Sequence, residues 1–140
     1  LPSNVRAVTY SGLRVIKTSA DEALDALKKG EEILGMGVTE RKGSQFNDFW
    51  QGWSQRRIGK KITAKHIFSE KSSYFDTFKK MKLSESRVLS GLTPVTVDIF
   101  GKDRVLILNY NEPASCVMIY DKNTATAFRT FFYQLWNIAK

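Results

Sequence analysis

Apolar and polar residues follow two periods along this chain, and each change of period indicates a new element. A period of two, or a short apolar run between turn residues, predicts a strand. The predicted strands cover residues 5–10, 33–38, 62–68, 95–100, 104–110 and 116–120. Within the third of them, Ile62, Ala64, His66 and Phe68 fall on one face.

A period of three to four residues predicts four helices. The first begins at the capping box Ser19–Glu22 and ends at a left-handed Gly30. The second ends near Gly59, the third covers about 71–82, and the last covers about 123–139. Their predicted buried faces contain Ala20, Ala23, Leu24 and Leu27, then Phe46, Phe49, Trp50 and Trp53, then Tyr74, Phe75, Phe78 and Met81, and finally Ala125, Phe128, Phe131, Phe132, Leu135 and Trp136.

The order of these elements predicts the fold class. Strands alternate with helices in the first half, which predicts a parallel part of a sheet joined by right-handed crossovers. The later strands follow one another through Gly101-Lys102-Asp103 and Asn111-Glu112-Pro113, which predicts an antiparallel extension. We therefore expect one α/β domain over residues 1–140, with a mixed sheet and helices on both faces.

Composition narrows the class of protein. The chain has 140 residues, 42% hydrophobic and 12% aromatic, which fits a globular domain rather than a disordered one. No apolar run is long enough to span a membrane, and no leader pattern precedes the first strand. Cys116 is the one cysteine, so an internal disulfide is excluded and a reducing compartment is favoured. We expect a cytoplasmic protein and, because the chain begins at Leu1, a piece of a longer one.

The net charge of +8 is concentrated in one segment. Residues 56–82 contain nine basic and two acidic side chains. Such an excess attracts the phosphates of nucleic acids, and it equally fits a solvated face that keeps a domain soluble. Both interpretations remain open at this stage.

Candidate chemistry is sparse. One His and one Cys cannot form a zinc site, so we expect no metal and no cofactor. Gly35-Met36-Gly37 lacks the third glycine of a dinucleotide loop, because Glu40 stands there, and close backbone approach at a strand end is the better interpretation. His66 is the only candidate base, without a visible charge partner, and Asp98 is expected to face solvent. The sequence thus predicts no catalytic set.

Several phrases resemble the phospholipase-D-like domain of TrmB-family transcriptional regulators. They are Tyr10-Ser11-Gly12, residues 29–37, Arg56-Arg57-Ile58 leading into 62–68, residues 92–101, and the ending 127–140. The resemblance implies a phospholipase-D-like fold, a homodimer, and DNA binding through a winged helix-turn-helix domain that precedes this one and has no room here. It also implies that some members sense a small effector, such as a sugar.

Active relatives of that fold carry His-x-Lys-x4-Asp, which the resemblance places just before Gly101. Thr93, Val95 and Phe100 then stand at the His, Lys and Asp positions, and none of the three can perform its role. The resemblance therefore implies a fold retained without hydrolysis.

Ligands of open α/β sheets bind beyond the carboxyl ends of the strands. That rule predicts an effector site formed by Tyr10, Gly12, Gly37, His66 and Thr93, with Arg57 nearby. The plainer alternative is that the glycines only make turns and Tyr10 only packs. Two other functions stay open: a phosphodiesterase using His66 as nucleophile with Lys65 or Lys71 as phosphate clamp, and a nucleic-acid-binding module using residues 56–82.

Overall fold

A computed structural model describes residues 5–91 and 95–140. In those residues seven strands and four helices follow one another along the chain. They are β1 (Arg6–Ser11), α1 (Leu13–Ala26), β2 (Glu32–Val38), α2 (Ser44–Gly59), β3 (Thr63–Phe68), α3 (Ser73–Lys79), β4 (Ser84–Val88), β5 (Val95–Phe100), β6 (Arg104–Asn109), β7 (Ser115–Tyr120) and α4 (Lys122–Ile138).

All seven strands form one mixed sheet in the order β1-β7-β6-β5-β2-β3-β4. Strands β2, β3 and β4 are parallel, and every other neighbouring pair is antiparallel. The predicted mixed sheet is confirmed, including the hairpin around Gly101-Lys102-Asp103. Strand β1 lies at the far edge against β7, so three strands separate it from β2.

Helices cover both faces of the sheet, as expected. Helices α1, α2 and α3 pack on one face around Ile16, Trp53 and Phe78, together with Phe68 and Phe100 from the strands. Helix α4 packs on the other face through Phe132 and Trp136 against Leu34, Ile67 and Ile99. No helix within the described ranges is long and apolar enough to cross a membrane.

The predicted start of the first helix is wrong. Helix α1 begins after Gly12 rather than at Ser19, and Ser19 lies buried inside it. The apolar period extends back to Ile16, which is fully buried, and this longer stripe outweighs the local capping pattern. Gly30 has a φ of 90° but lies in the loop after α1, whose last residue is Ala26.

Two further differences arise at the edges of the fold. Strand β4 was not predicted, because its sequence Ser-Glu-Ser-Arg-Val is mostly polar, as suits a sheet edge. Phe131 was expected to be buried, yet it is 53% exposed, because α4 turns that position away from the sheet. Helix α3 is also shorter than predicted and ends at Lys79.

Candidate functional site

A small cavity lies between the sheet and the helices α2 and α3. Its volume is about 30 Å³, which is room for one or two water molecules. Most of its wall is aromatic, and its polar groups come from the sheet and from the loop that joins β2 to α2. Its lining residues are Ile33, Val38, Thr39, Lys42, Trp50, Trp53, Ser54, His66, Tyr74, Phe78, Thr96, Asp98, Phe100 and Tyr110.

Strand register brings His66 and Asp98 together over Gly35. Gly35 pairs with His66 on one side and with Asp98 on the other. A Cβ atom on Gly35 would lie 2.8 Å from Asp98 Oδ1 and 2.9 Å from His66 Cδ2. Because glycine leaves that space open, an imidazole and a carboxylate from two strands lean toward each other. The glycine pair therefore admits side chains rather than a dinucleotide.

Lys42 reaches the cavity from the β2–α2 loop. Its ammonium lies 3.8 Å from the centroid of the Tyr74 ring and 5.8 Å from that of Tyr110. It also donates a hydrogen bond to the Thr39 carbonyl. The Glu70 carboxylate holds the loop by accepting hydrogen bonds from Thr39 Oγ1 at 2.9 Å and from the Glu40 amide at 3.0 Å.

Two residues of this wall are shared with a groove at the surface. The groove has a volume of about 370 Å³ and includes Gly12, Phe46 and the Glu112–Ala114 turn. Lys42 and Tyr110 line both the groove and the cavity. The Tyr110 hydroxyl is held by the Trp50 indole N–H at 2.8 Å, whereas Lys42 has no comparable side-chain anchor. Lys42 is therefore the movable part of the partition.

Burial sets the protonation of the two groups over Gly35. Both residues are 8% exposed. Desolvation raises the pKa of Asp98 to about 7, although the positive charge of Lys42 works in the opposite direction. Desolvation, together with the charges of Arg57 and Lys42, lowers the pKa of His66 to about 3. The imidazole is thus neutral at physiological pH, and its buried Nδ1 has no hydrogen-bond partner.

The amine responds to the same environment. Desolvation lowers the pKa of Lys42 to about 7, and the nearby carboxylates Glu70, Asp98 and Glu40 limit the shift. Burial also raises the pKa of both Tyr74 and Tyr110, so these phenols stay protonated. Near neutral pH the cavity therefore contains an amine and a carboxyl group that both titrate.

Two sequence expectations about this region are wrong. Asp98 does not face solvent, because the face that it shares with Thr96 and Phe100 is covered by α2 and α3. His66 does have charged neighbours, since Asp98 and Lys42 line the same cavity. The sequence could show the first only through the parity of β5 with Phe100. Lys42 lies in a loop, where no periodicity reports burial.

The predicted effector residues lie in different places. His66 lines the cavity, Gly12 lines the outer groove, and Gly37, at a φ of 74°, accepts a hydrogen bond from Thr96 Oγ1 at 3.1 Å. Tyr10 pairs with Cys116 between β1 and β7. Thr93 lies outside the described residues.

Arg57 is fully buried and performs a structural task. Its guanidinium donates hydrogen bonds to the carbonyls of Ile62 and Leu83, at 2.9 and 3.0 Å, and to Ser84 Oγ at 2.6 Å. These contacts tie the end of α2 to the starts of β3 and β4. Its five donors in a planar fork suit such a junction of carbonyls.

The motif positions implied by the resemblance hold no reactive group where they are described. Phe100 is buried in the core under α2, and Val95 is half-buried on the opposite face. Within residues 5–91 and 95–140, no group of three His, Cys, Asp or Glu side chains is arranged to hold a metal ion.

The basic segment 56–82 is not a continuous free surface. Arg57 is buried, Arg56 pairs with Asp21 at 2.8 Å, and Lys60 donates to the Leu24 carbonyl at 2.7 Å. Lys65 lies 3.5 Å from Glu85. Structural contacts thus use four of its cations, which weakens the interpretation of this segment as a nucleic-acid-binding face.

Comparison with known proteins identifies the fold. No protein-family model and no curated protein sequence matches the chain. Among solved structures, TrmBL2, an archaeal chromatin protein with a novel mode of DNA binding, superposes with a TM-score of 0.66 at 17% identity. That match covers 96% of this chain but 54% of TrmBL2, so the chain spans about half the length of that protein.

NucT from Helicobacter pylori superposes with a TM-score of 0.69 at 10% identity, over 97% of this chain and 98% of NucT. At such identities the similarity concerns the fold alone. Together with the mixed sheet and its helices on both faces, the two structures show that this chain has a phospholipase-D-like α/β fold.

Proposed function

We propose that this chain is a non-catalytic, effector-sensing and dimerisation domain of a TrmB-like transcriptional regulator. The observation that carries the proposal is the aromatic cavity in which two buried groups, His66 and Asp98, lack hydrogen-bonded partners in the described part of the chain. Buried polar groups without partners are costly to a fold, and their presence in a pocket marks a candidate binding site. The similarity to TrmBL2, a DNA-binding chromatin protein, supports a regulatory context.

The size of the cavity supports a sensing role. At about 30 Å³ it cannot hold a sugar or a nucleotide, so any effector must displace part of the wall. The cavity and the outer groove together fall within the usual range for ligand pockets, about 300–1,000 Å³. A ligand that fits only the opened state favours that state by differential affinity. Such a shift is what a sensor requires.

The same size argues against hydrolysis. A nucleophilic imidazole must reach the phosphorus of a phosphodiester, yet His66 lies behind Lys42 in a space for one or two waters. The edges of its ring face Phe68 and Phe78, at centroid distances of 6.1 and 5.4 Å. The pKa of about 3 also opposes any step in which this imidazole gains a proton.

A phosphodiesterase is the second candidate, because one cavity gathers an imidazole, an amine and a carboxyl group, and because NucT is a phospholipase-D-like nuclease. A fluorogenic phosphodiester assay separates the two functions. The sensing proposal expects the same background rate for the wild type and for His66→Ala. Turnover by the wild type that His66→Ala abolishes would establish the enzyme instead.

Dimerisation draws support from the α4 side of the molecule. Phe131 and Ile138 are 53% and 63% exposed on α4, and Val97, Ile107 and Ile119 on the adjoining strands are only partly buried. An apolar face of this kind fits a self-complementary contact with a second copy. Light scattering at tens of micromolar should give a dimer. A monomer at that concentration contradicts this part of the proposal. In the regulator, DNA contact is assigned to a separate winged-helix domain.

The sensing proposal is tested by calorimetric titration with small ligands of different charge. The panel contains butylammonium, glucose and inorganic phosphate. We expect heat of binding for at least one of them, reduced by a substitution in the cavity such as Asp98→Asn. If none binds, the cavity is not an effector site.

A further inference from the structure

The charges around the cavity favour one class of ligand. Asp98 lies at its base, and Glu70 and Glu40 act on the same ammonium from the loop side. His66 is neutral, and the Arg57 guanidinium behind it is occupied by carbonyls. Lys42 is therefore the one mobile cation facing three carboxylates. Without it, the cavity presents negative potential.

The walls favour the same class. Trp50, Trp53, Tyr74 and Tyr110 surround the space with ring surfaces, and Phe78 and Phe100 complete it. The face of an aromatic ring attracts a cation, and aromatic cages of this kind recognise alkylammonium ligands. The Lys42 ammonium already uses this attraction, at 3.8 Å from the centroid of Tyr74.

Lys42 and Asp98 face each other without closing an ion pair. The ion pairs formed by described residues lie elsewhere, at Arg56–Asp21, Lys65–Glu85 and Arg129–Glu32. No hydrogen bond from a described residue acts on the Asp98 carboxyl group, and burial is the main influence on it. The carboxylate is thus available to a second ammonium group.

We propose that the cavity binds a small organic ammonium ion, with Asp98 as its counter-ion, and that Lys42 is a built-in competitor that occupies the aromatic cage until the ligand displaces it. This inference rests on the proposed sensing function and names its ligand class. When Lys42 swings out of the loop, its four-carbon chain vacates the partition and joins the cavity to the groove of about 370 Å³. The displaced loop is then the element that reports binding.

The test uses butylammonium, which reproduces the end of a lysine side chain, and 1-butanol as its neutral counterpart. Affinities are measured by calorimetry on the full chain. Lys42→Met removes the competitor and should tighten butylammonium binding at least tenfold. Asp98→Asn should weaken it at least tenfold, and 1-butanol should not bind any variant measurably. A tethered competitor acts at an effective concentration in the millimolar range, which makes such a gain reasonable.

Lys79→Met is the matched control. Lys79 also lies over an aromatic ring, 5.7 Å from the centroid of Phe75, but it is exposed on α3 outside the cavity. Its replacement should leave butylammonium affinity unchanged. An equal gain in Lys79→Met and Lys42→Met would reflect a general change in net charge and would overturn the competitor role.

The remaining outcomes separate the two proposals. If phosphate or glucose binds and Lys42→Met abolishes that binding, Lys42 is a ligand group, so the ammonium inference fails while the sensing function stands. If butylammonium affinity does not change in Lys42→Met, the competitor role is wrong. If no compound binds either the wild type or Lys42→Met, both proposals fail.

Discussion

Asp98→Asn replaces a buried carboxyl group by an amide of nearly the same shape, and its effect on stability should depend strongly on pH. Burial raises the pKa of Asp98 from 3.8 to about 7. Between those values the folded protein keeps the proton that the unfolded chain releases. The wild type therefore loses stability from this group as the pH rises from about 4 to 7.

The magnitude follows from the shift. One pH unit corresponds to about 1.4 kcal/mol, so the rise from 3.8 to about 7 costs the wild type about 4 kcal/mol at neutral pH relative to pH 4. Asp98→Asn lacks this dependence. The stability of the variant minus that of the wild type should thus increase by about 4 kcal/mol across this interval.

His66→Gln provides a control of opposite sign. Burial lowers the pKa of His66 from 6.5 to about 3, so this group makes the wild type more stable as the pH rises through that interval. Removing it should make the variant-minus-wild-type difference fall, by about 5 kcal/mol over the full interval. In the wild type the two contributions nearly cancel between about pH 4 and 6.5.

Urea unfolding followed by tryptophan fluorescence at pH 4, 5, 6 and 7 gives these differences directly. Differences that slope in opposite directions for the two variants support the assigned protonation states. A constant offset for Asp98→Asn across the series would refute the reasoning, because it would mean that this carboxyl group titrates alike in the folded and unfolded protein.

Two further predictions each have a matched control. Gly35→Ala should destabilise the fold by about 2 kcal/mol, since its Cβ would meet Asp98 Oδ1 at 2.8 Å, whereas Gly52→Ala on α2, with nothing within 4 Å, should stabilise it by up to about 1 kcal/mol; equal effects in thermal unfolding contradict the close approach. Arg57→Ala should cost about 3 kcal/mol, because it leaves the carbonyls of Ile62 and Leu83 unpaired, and Lys at this position should not restore it. Arg56→Ala, which breaks an exposed pair with Asp21, should cost under about 1 kcal/mol; a larger loss there than at Arg57 would reverse the assignment.

Much of the fold was predictable because its strands alternate strictly. The parity of β3 correctly placed His66 on the face of Ala64 and Phe68, and the Gly101 turn correctly defined the β5–β6 hairpin. Strand β4 escaped prediction because an edge strand needs no apolar alternation. The helix start was misplaced because a capping pattern is local, whereas the buried stripe around Ile16 depends on tertiary packing.

The site was harder to predict than the fold. Asp98, Gly35 and His66 are far apart in sequence, and only the order β5-β2-β3 makes them neighbours. Nothing in the local sequence indicates that the face carrying Asp98 is covered by α2 and α3. Lys42 belongs to a loop, and its position over Tyr74 follows from how that loop folds back to Glu70.

The central claim is that this cavity binds a ligand without turning it over. The most direct measurement is an NMR titration of the three indole N–H signals with butylammonium, glucose and phosphate. Trp50 lines the cavity and donates to Tyr110, whereas Trp136 stacks on Phe132 across the sheet. The account predicts that at least one ligand shifts the Trp50 signal in saturable fashion, leaves Trp136 in place and is recovered unchanged. A Trp50 signal that no ligand moves contradicts it.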